Sequence, residues 1–230
     1  MSMLPLLRRL ESRALILFVG AALAGWAFLA IGGEMREGET LALGRRILMS
    51  LRVPGDPALP LGSHSFQEAM RDVTALGGVT VLSLVTVVAA LAFVFHRKLR
   101  HAAIFVVAVL VAQLGSEQLK NLYGRPRPEL VPHGAYVYSA SFPSGHSMIS
   151  TAVYLTLAAL IASLEPRHAT KILVFTVAIL LMAAIGISRI YLAVHWPSDV
   201  LAGWCAGAAV ALAAWIALPR ADEGRGRRRG

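Results

Sequence analysis

Six near-continuous apolar stretches, at 14–31, 76–95, 102–119, 147–164, 172–187 and 200–218, alternate with short polar segments along the chain. Each approaches the roughly 20 residues that a helix needs to cross a bilayer core. The pattern predicts an all-α protein, a six-transmembrane-helix bundle with both termini on one side. The one long polar connection, about 32–75, is expected to form an interfacial, helical outer loop. Within it "TLALGRRILMSLR" sets Leu41, Leu48 and Leu51 at helical spacing with Arg45, Arg46 and Arg52 elsewhere around the turn, the pattern of a helix lying in the interface. "VPGDPALPLG" breaks that helix, and "SFQE" (65–68) reads as a capping box opening a helix that runs into the second span.

Composition agrees with a membrane protein. Of the 230 residues 57% are hydrophobic, and the mean hydropathy is +0.64, above ordinary soluble domains. The net charge of +9 suggests nucleic acid, but its layout argues against that partner, because the basic residues sit in short clusters between apolar runs. Arg8, Arg9 and Arg13, "HRKLRH" (96–101), "EPRHATK" (165–171) and Arg220, Arg225, Arg227, Arg228 and Arg229 place 13 of the 22 Lys and Arg residues on one side. The positive-inside rule makes that side cytoplasmic. The expected layout is a cytoplasmic segment 1–13, a membrane-embedded domain 14–218 and a basic cytoplasmic tail 219–230. The first apolar run exceeds the roughly 7–15 residues of a signal-peptide core, so a retained anchor is expected. Cys205, the sole cysteine, excludes an intramolecular disulfide and a cysteine metal cluster.

With this orientation three polar clusters fall on the outer, extracytoplasmic face. "KNLYGRPRP" (120–128) follows the third span, "SFPSGHS" (141–147) opens the fourth, and "SRIYLAVHWPSDV" (188–200) links the fifth to the sixth. Lys120 and Arg127 offer a point charge and a planar fork of donors, together suited to a tetrahedral oxyanion. Arg125 is a third candidate, or else a cation facing water. Ser144, Gly145 and His146 lie at a helix start, whose free N–H groups favour an anion. Pro197 suits the first turn of the sixth span. Asp199, four residues after His195, is placed to hold one ring nitrogen and leave the other free as a nucleophile. Cations and amides suit phosphoryl oxygens, one His attacking phosphorus and the other protonating the departing oxygen. These residues do not decide which His does which. No acidic cluster is present for magnesium, so no metal or other cofactor is expected. Paired His roles predict a bell-shaped pH profile.

At these residues the sequence resembles the type 2 phosphatidic acid phosphatase superfamily. Its three motifs read here as Lys120 with Arg127–Pro128, then Pro143–Ser144–Gly145–His146, then Ser188–Arg189 with His195 and Asp199. "RDVTALGG" (71–78) is also similar to the approach to the second span in bacterial relatives. The resemblance implies a lipid phosphate or diphosphate phosphatase of a bacterial inner membrane. It further implies a phosphohistidine on His195 oriented by Asp199, and His146 as acid and then base. Phosphate would be held by Lys120, Arg127, Ser144, Gly145 and Arg189. The lipid is left open among phosphatidic acid, phosphatidylglycerol phosphate, polyprenyl diphosphates and lipid A.

A lipid phosphotransferase would use the same motifs. An anion transporter would need charge near the midplane, whereas these clusters lie at span ends. Zinc on His146, His195 and Asp199 is opposed by the surrounding cations. Gln113, Ser116, Glu117 and Lys120 form a stripe expected to face the bundle interior, with Glu117 either steadying Lys120 or structural. Gly203 and Gly207 suggest a close helix contact. His133, Tyr136 and Tyr138 are expected at headgroup level.

Overall fold

The computed structural model describes residues 4–131 and 139–218. His133, Tyr136, Tyr138 and the arginines of the tail lie outside them. Eight helices follow in order: α1 (Leu4–Glu37), α2 (Thr40–Ser50), α3 (His64–Ala75), α4 (Val79–Phe95), α5 (Leu99–Tyr123), α6 (Gly145–Leu164), α7 (His168–Tyr191) and α8 (Pro197–Ile216). Five are long and apolar enough to cross a membrane, and the bent pair α3–α4 makes six if it counts as one span. Large apolar side chains such as Phe18, Trp26, Leu91, Phe95, Leu114 and Leu180 stand exposed on the bundle's outside. In water such a surface would drive association; here it faces lipid, and the chain is an integral membrane protein.

The centre of the bundle is α6. It packs on α5, α7 and α8, and 67% of its apolar window is buried against 11–33% for the other single-helix spans. Its small residues Ser147, Ser150, Thr151, Ala152, Ala158 and Ala159 are buried and let neighbouring backbones approach closely. The closest approach is to α8, where Gly203 and Gly207 turn their bare Cα atoms to the α6 backbone. α1 lies along α8.

The structure revises several expected boundaries. The first helix continues to Glu37, into the region read as loop, and the fifth span is a 24-residue helix. The outer loop is not wholly helical: "VPGDPALPLG" forms a short antiparallel hairpin, β1 (Arg52–Val53) with β2 (Asp56–Pro60), turning at Gly55 with φ 89°. The cap of α3 is Ser63, whose Oγ accepts the Phe66 N–H at 3.3 Å, so Ser65 and Glu68 sit inside the helix rather than forming a capping box. α3 does not run into the second span. The chain breaks at 76–78 and α4 leaves at 48°, with the Leu76 carbonyl at the break accepting from Tyr154 Oη at 2.8 Å.

The loop's elements converge on one place, the turn between α7 and α8. Leu48 of α2 packs with Ala193 and Trp196. Arg52 of β1, buried, donates from Nη2 to the Tyr191 carbonyl at 2.7 Å, and Tyr191 Oη donates to the Leu61 carbonyl at 2.6 Å. Thr74 of α3 accepts from Arg189 Nη1 at 3.0 Å. The outer loop is therefore a buttress for that turn.

Candidate active site

The turn that carries His195 is shaped locally. Ala193 takes a left-handed φ of 55°, Trp196 caps α8, and Pro197 begins it. Asp199, in the first turn of α8, reaches back to accept the Trp196 N–H at 2.9 Å. The same Oδ2 accepts from Ser141 Oγ and faces His195 Nδ1 at 3.4 Å. This favours the tautomer with a proton on Nδ1. His195 Nε2 then faces Arg127 Nη1 at 3.2 Å. His195 is 1% and Asp199 0% exposed. Burial first of all pushes His195 down to about 3, with Arg189 and Arg127 adding to it and Asp199 pulling the other way. The resting imidazole is neutral.

His146 is the second residue of α6, within electrostatic range of His195, Lys120, Arg127 and Arg189. Its ring fits into the α3–α4 break: a Cβ on Gly77 would lie 3.4 Å from His146 Cδ2 and 2.5 Å from Ile185 Cγ2. The glycines of "ALGG" thus make room for the imidazole. Gly145 opens α6, and a Cβ there would meet Lys120 Nζ at 3.3 Å. As first residues of a helix, Gly145 and His146 have N–H groups with no carbonyl one turn back to accept them. Lys120 Nζ donates to Ser139 Oγ at 2.9 Å, and Arg127 donates through Nε to the Ser139 carbonyl at 2.8 Å and through Nη1 to the Val194 carbonyl at 2.7 Å. Arg189 is 3% exposed, with Nε buried and unpaired. An orphan buried donor of this kind marks a place for an acceptor that the protein itself does not supply.

All eight expected site residues, Lys120, Arg127, Ser144, Gly145, His146, Arg189, His195 and Asp199, therefore gather at one end of the bundle. Ser144 differs from expectation in detail. Its fully buried Oγ caps α6, accepting from Ser147 Oγ at 3.0 Å, and its N–H donates to the Asp199 carbonyl at 3.0 Å. Its hydroxyl braces the helix start rather than opening to the site. Arg125 does not face water: it is 5% exposed and its Nη1 lies 2.6 Å from Asp199 Oδ1. Glu117 accepts from Gln113 Nε2 at 3.1 Å, while the ammonium of Lys120 goes to Ser139.

Ser139, Ser141 and Thr74 were not singled out by the sequence reading. Their partners lie up to 115 residues away, and serine or threonine alone gives no signal. For Arg125 a signal exists. Prolines at 126 and 128 favour polyproline II, in which residues two apart point in different directions, so Arg125 and Arg127 are set for different partners.

A cavity of about 610 Å³ adjoins the site between α4, α5 and α6. Lys120, Ser139, Gly145 and His146 line its polar part, and Val79, Leu82, Val87, Val109, Leu110 and Ile149 its apolar part. Ser116, Gln113 and Glu117 also line it, Ser116 buried and Glu117 exposed, so the polar stripe of α5 borders the cavity. Among the described residues no group of three His, Cys, Asp or Glu side chains is arranged to hold a metal.

Comparison with known proteins agrees with this arrangement. The chain is 33% identical over 143 residues to phosphatidylglycerophosphatase B of Bacillus subtilis, covering 61% of this chain and 69% of that one. It is 30% identical to an undecaprenyl-diphosphatase of Sulfolobus acidocaldarius over 52% of this chain and 56% of that one. A crystal structure of a transmembrane PAP2-type phosphatidylglycerolphosphate phosphatase from Bacillus subtilis superposes with a TM-score of 0.76 at 24% identity, over 91% of this chain and 97% of that one. The profile of the PAP2 superfamily matches residues 101–223. That region is more than half of the chain and contains every residue of the three motifs, and the protein belongs to the PAP2 superfamily.

Proposed function

We propose that this protein hydrolyses a lipid phosphate or diphosphate through a phosphohistidine, without a metal. One observation carries the reading: half-buried Lys120, Arg127 and His146 cluster with buried Arg189 and His195, and Lys120 and His146 line the polar part of a cavity whose wall continues as apolar side chains of α4, α5 and α6. The cations and the α6 N–H groups suit the phosphoryl oxygens, and the cleft suits the chain of a lipid. His195 Nε2 attacks phosphorus as the ester P–O bond breaks, and His146 gives the leaving oxygen a proton. His146 then takes a proton from water, which attacks phosphorus, breaks the P–N bond and releases phosphate. Asp199 holds the Nδ1 proton throughout. Names of relatives support phosphatidylglycerol phosphate and undecaprenyl diphosphate as the first lipids to try. The basic segments on the opposite side support cytoplasmic ends 1–13 and 219–230 and a site facing outward from a bacterial inner membrane.

Purified protein in detergent micelles should release phosphate from one or more of phosphatidic acid, phosphatidylglycerol phosphate and a polyprenyl diphosphate with EDTA present. His195→Ala and His146→Ala should each abolish this. Undiminished release by both variants would end the assignment.

A further inference from the structure

Four cations surround this site, and one makes a different set of contacts. Arg127 Nη1 faces His195 Nε2 at 3.2 Å, Lys120 lines the cavity, and Arg189, bonded to Thr74, lies within electrostatic range of both imidazoles. Arg125 lies behind Asp199. Its Nη1 donates to Asp199 Oδ1 at 2.6 Å and to Ser198 Oγ at 2.8 Å, and its Nη2 donates to Thr40 Oγ1 at 3.2 Å. Its guanidinium carbon lies over the Trp196 ring, 5.4 Å from the centroid. That ring is pressed from the other element by α2, where a Cβ on Gly44 would come within 3.0 Å of Trp196 Cε3. The carboxylate is thus divided: Oδ1 belongs to Arg125, while Oδ2 serves Trp196 N–H, Ser141 and His195.

We propose that Arg125 is a positioning residue that clamps the Asp199 carboxylate to the surface helix α2 and thereby sets the orientation and tautomer of His195, without touching the phosphate. Two physical consequences follow. A carboxylate whose Oδ1 is held by a guanidinium that is itself anchored on Ser198 and Thr40 is restrained from rotating, so the lone pairs on its other oxygen stay aimed at Nδ1. The guanidinium also offsets part of the carboxylate's charge, which in a buried site would otherwise favour a second proton on the imidazole. The charged and titratable groups facing His195 are Asp199 from α8, Arg127 from the loop after α5, Arg189 from α7 and His146 from α6. None of them can substitute behind Oδ1. Lysine cannot either, because a single ammonium does not span Asp199, Ser198 and Thr40 as a planar fork does.

The assignment of His195 as nucleophile underlies the kinetic arm of the test, and a spectroscopic arm is independent of it. In the kinetic arm Arg125→Lys, whose single ammonium cannot hold Asp199 Oδ1 together with Ser198 and Thr40 and so leaves the carboxylate less well neutralised, should lower kcat on phosphatidic acid in mixed micelles by about 10–100-fold. KM and inhibition by vanadate should change little, and the acid limb of kcat/KM should move to higher pH. Thr40→Val, at the half-buried end of the clamp, should change the same quantities in the same direction by less. In the spectroscopic arm, 15N-histidine NMR should find His195 as the Nδ1–H tautomer in the unmodified chain. In Arg125→Lys it should take its second proton at higher pH. A rise in KM and in the vanadate inhibition constant with an unmoved pH profile would make Arg125 a phosphate ligand and overturn the proposal. Lowered thermal stability with unaltered kcat per folded molecule and an unaltered His195 titration would reduce it to a structural pair, and would overturn it equally. Failure of the unmodified protein to release phosphate would count against the proposed function alone, since the NMR titration still decides the role of Arg125.

Discussion

Replacing Gly203 by alanine puts a methyl group where α8 meets the first turn of α6. The new Cβ would lie 2.8 Å from the Ser144 carbonyl oxygen, 2.9 Å from Ser147 Cβ and 3.1 Å from the Met148 nitrogen. Two of these atoms are backbone and cannot rotate away. Carbon atoms pack at about 3.5 Å or more, so against Ser147 Cβ the helices must separate by roughly 0.6 Å. That displacement exceeds the roughly 0.5 Å to which a catalytic constellation must be held. It acts one turn from Asp199, on the contact where the Ser144 N–H meets the Asp199 carbonyl at 3.0 Å. Overpacking of this kind costs about 1–3 kcal/mol, and misplacement approaching 1 Å costs up to about 10²-fold in rate. Gly203→Ala should therefore lower the thermal midpoint in detergent and reduce kcat by about 10–100-fold, with a smaller change in KM. Gly25→Ala on α1, where a Cβ meets nothing within 4 Å, is the control and should match the unmodified protein. Phosphate release and fluorescence-monitored unfolding measure both effects. A Gly203→Ala protein with unaltered kcat and midpoint would refute the claim that the α6–α8 contact sets the site.

Other outcomes follow from single residues. Because burial and its cationic neighbours lower His195 to about 3, its imidazole is neutral around neutral pH. The kcat/KM profile should then show no acid limb from it near the ordinary value of about 6.5; a limb there that shifts in Arg189→Met would contradict this. Lys120→Met should lower kcat/KM by about 10²–10³-fold, the loss typical of one donor to a developing anion. Glu117→Gln should stay within about threefold, because Glu117 pairs with Gln113; phosphate-release kinetics on both variants separate the two roles. Arg52→Met removes the donor to the Tyr191 carbonyl and should cost about 1–3 kcal/mol, read as a lower thermal midpoint with reduced activity.

The membrane class, five of the spans and the three clusters of chemistry were legible in the linear sequence. Continuous apolar runs and the placement of Arg, Lys, His and Pro are local properties, and a bilayer imposes one simple length on them. The glycine face of α8 was legible for the same reason, since small residues four apart share a helix side. What the linear reading mistook depended on distant partners. The cap of α3 is Ser63, three residues after the hairpin ends at Pro60, and the α3–α4 break places Gly77 where a Cβ would meet His146 and Ile185. Arg125 was read as a phosphate candidate or a solvent-facing cation, yet its partners Thr40 and Asp199 lie 85 positions before it and 74 after. A lone guanidinium carries its charge in the sequence, but whether that charge meets substrate, water or a buried carboxylate is decided by which helices pack around it. Residue identity and spacing say which groups are available to hold and attack a phosphate. Which of them lie at the cavity and which stand behind His195 follows from the packing of the helices, because burial and hydrogen-bond geometry belong to the packed bundle and not to any one segment.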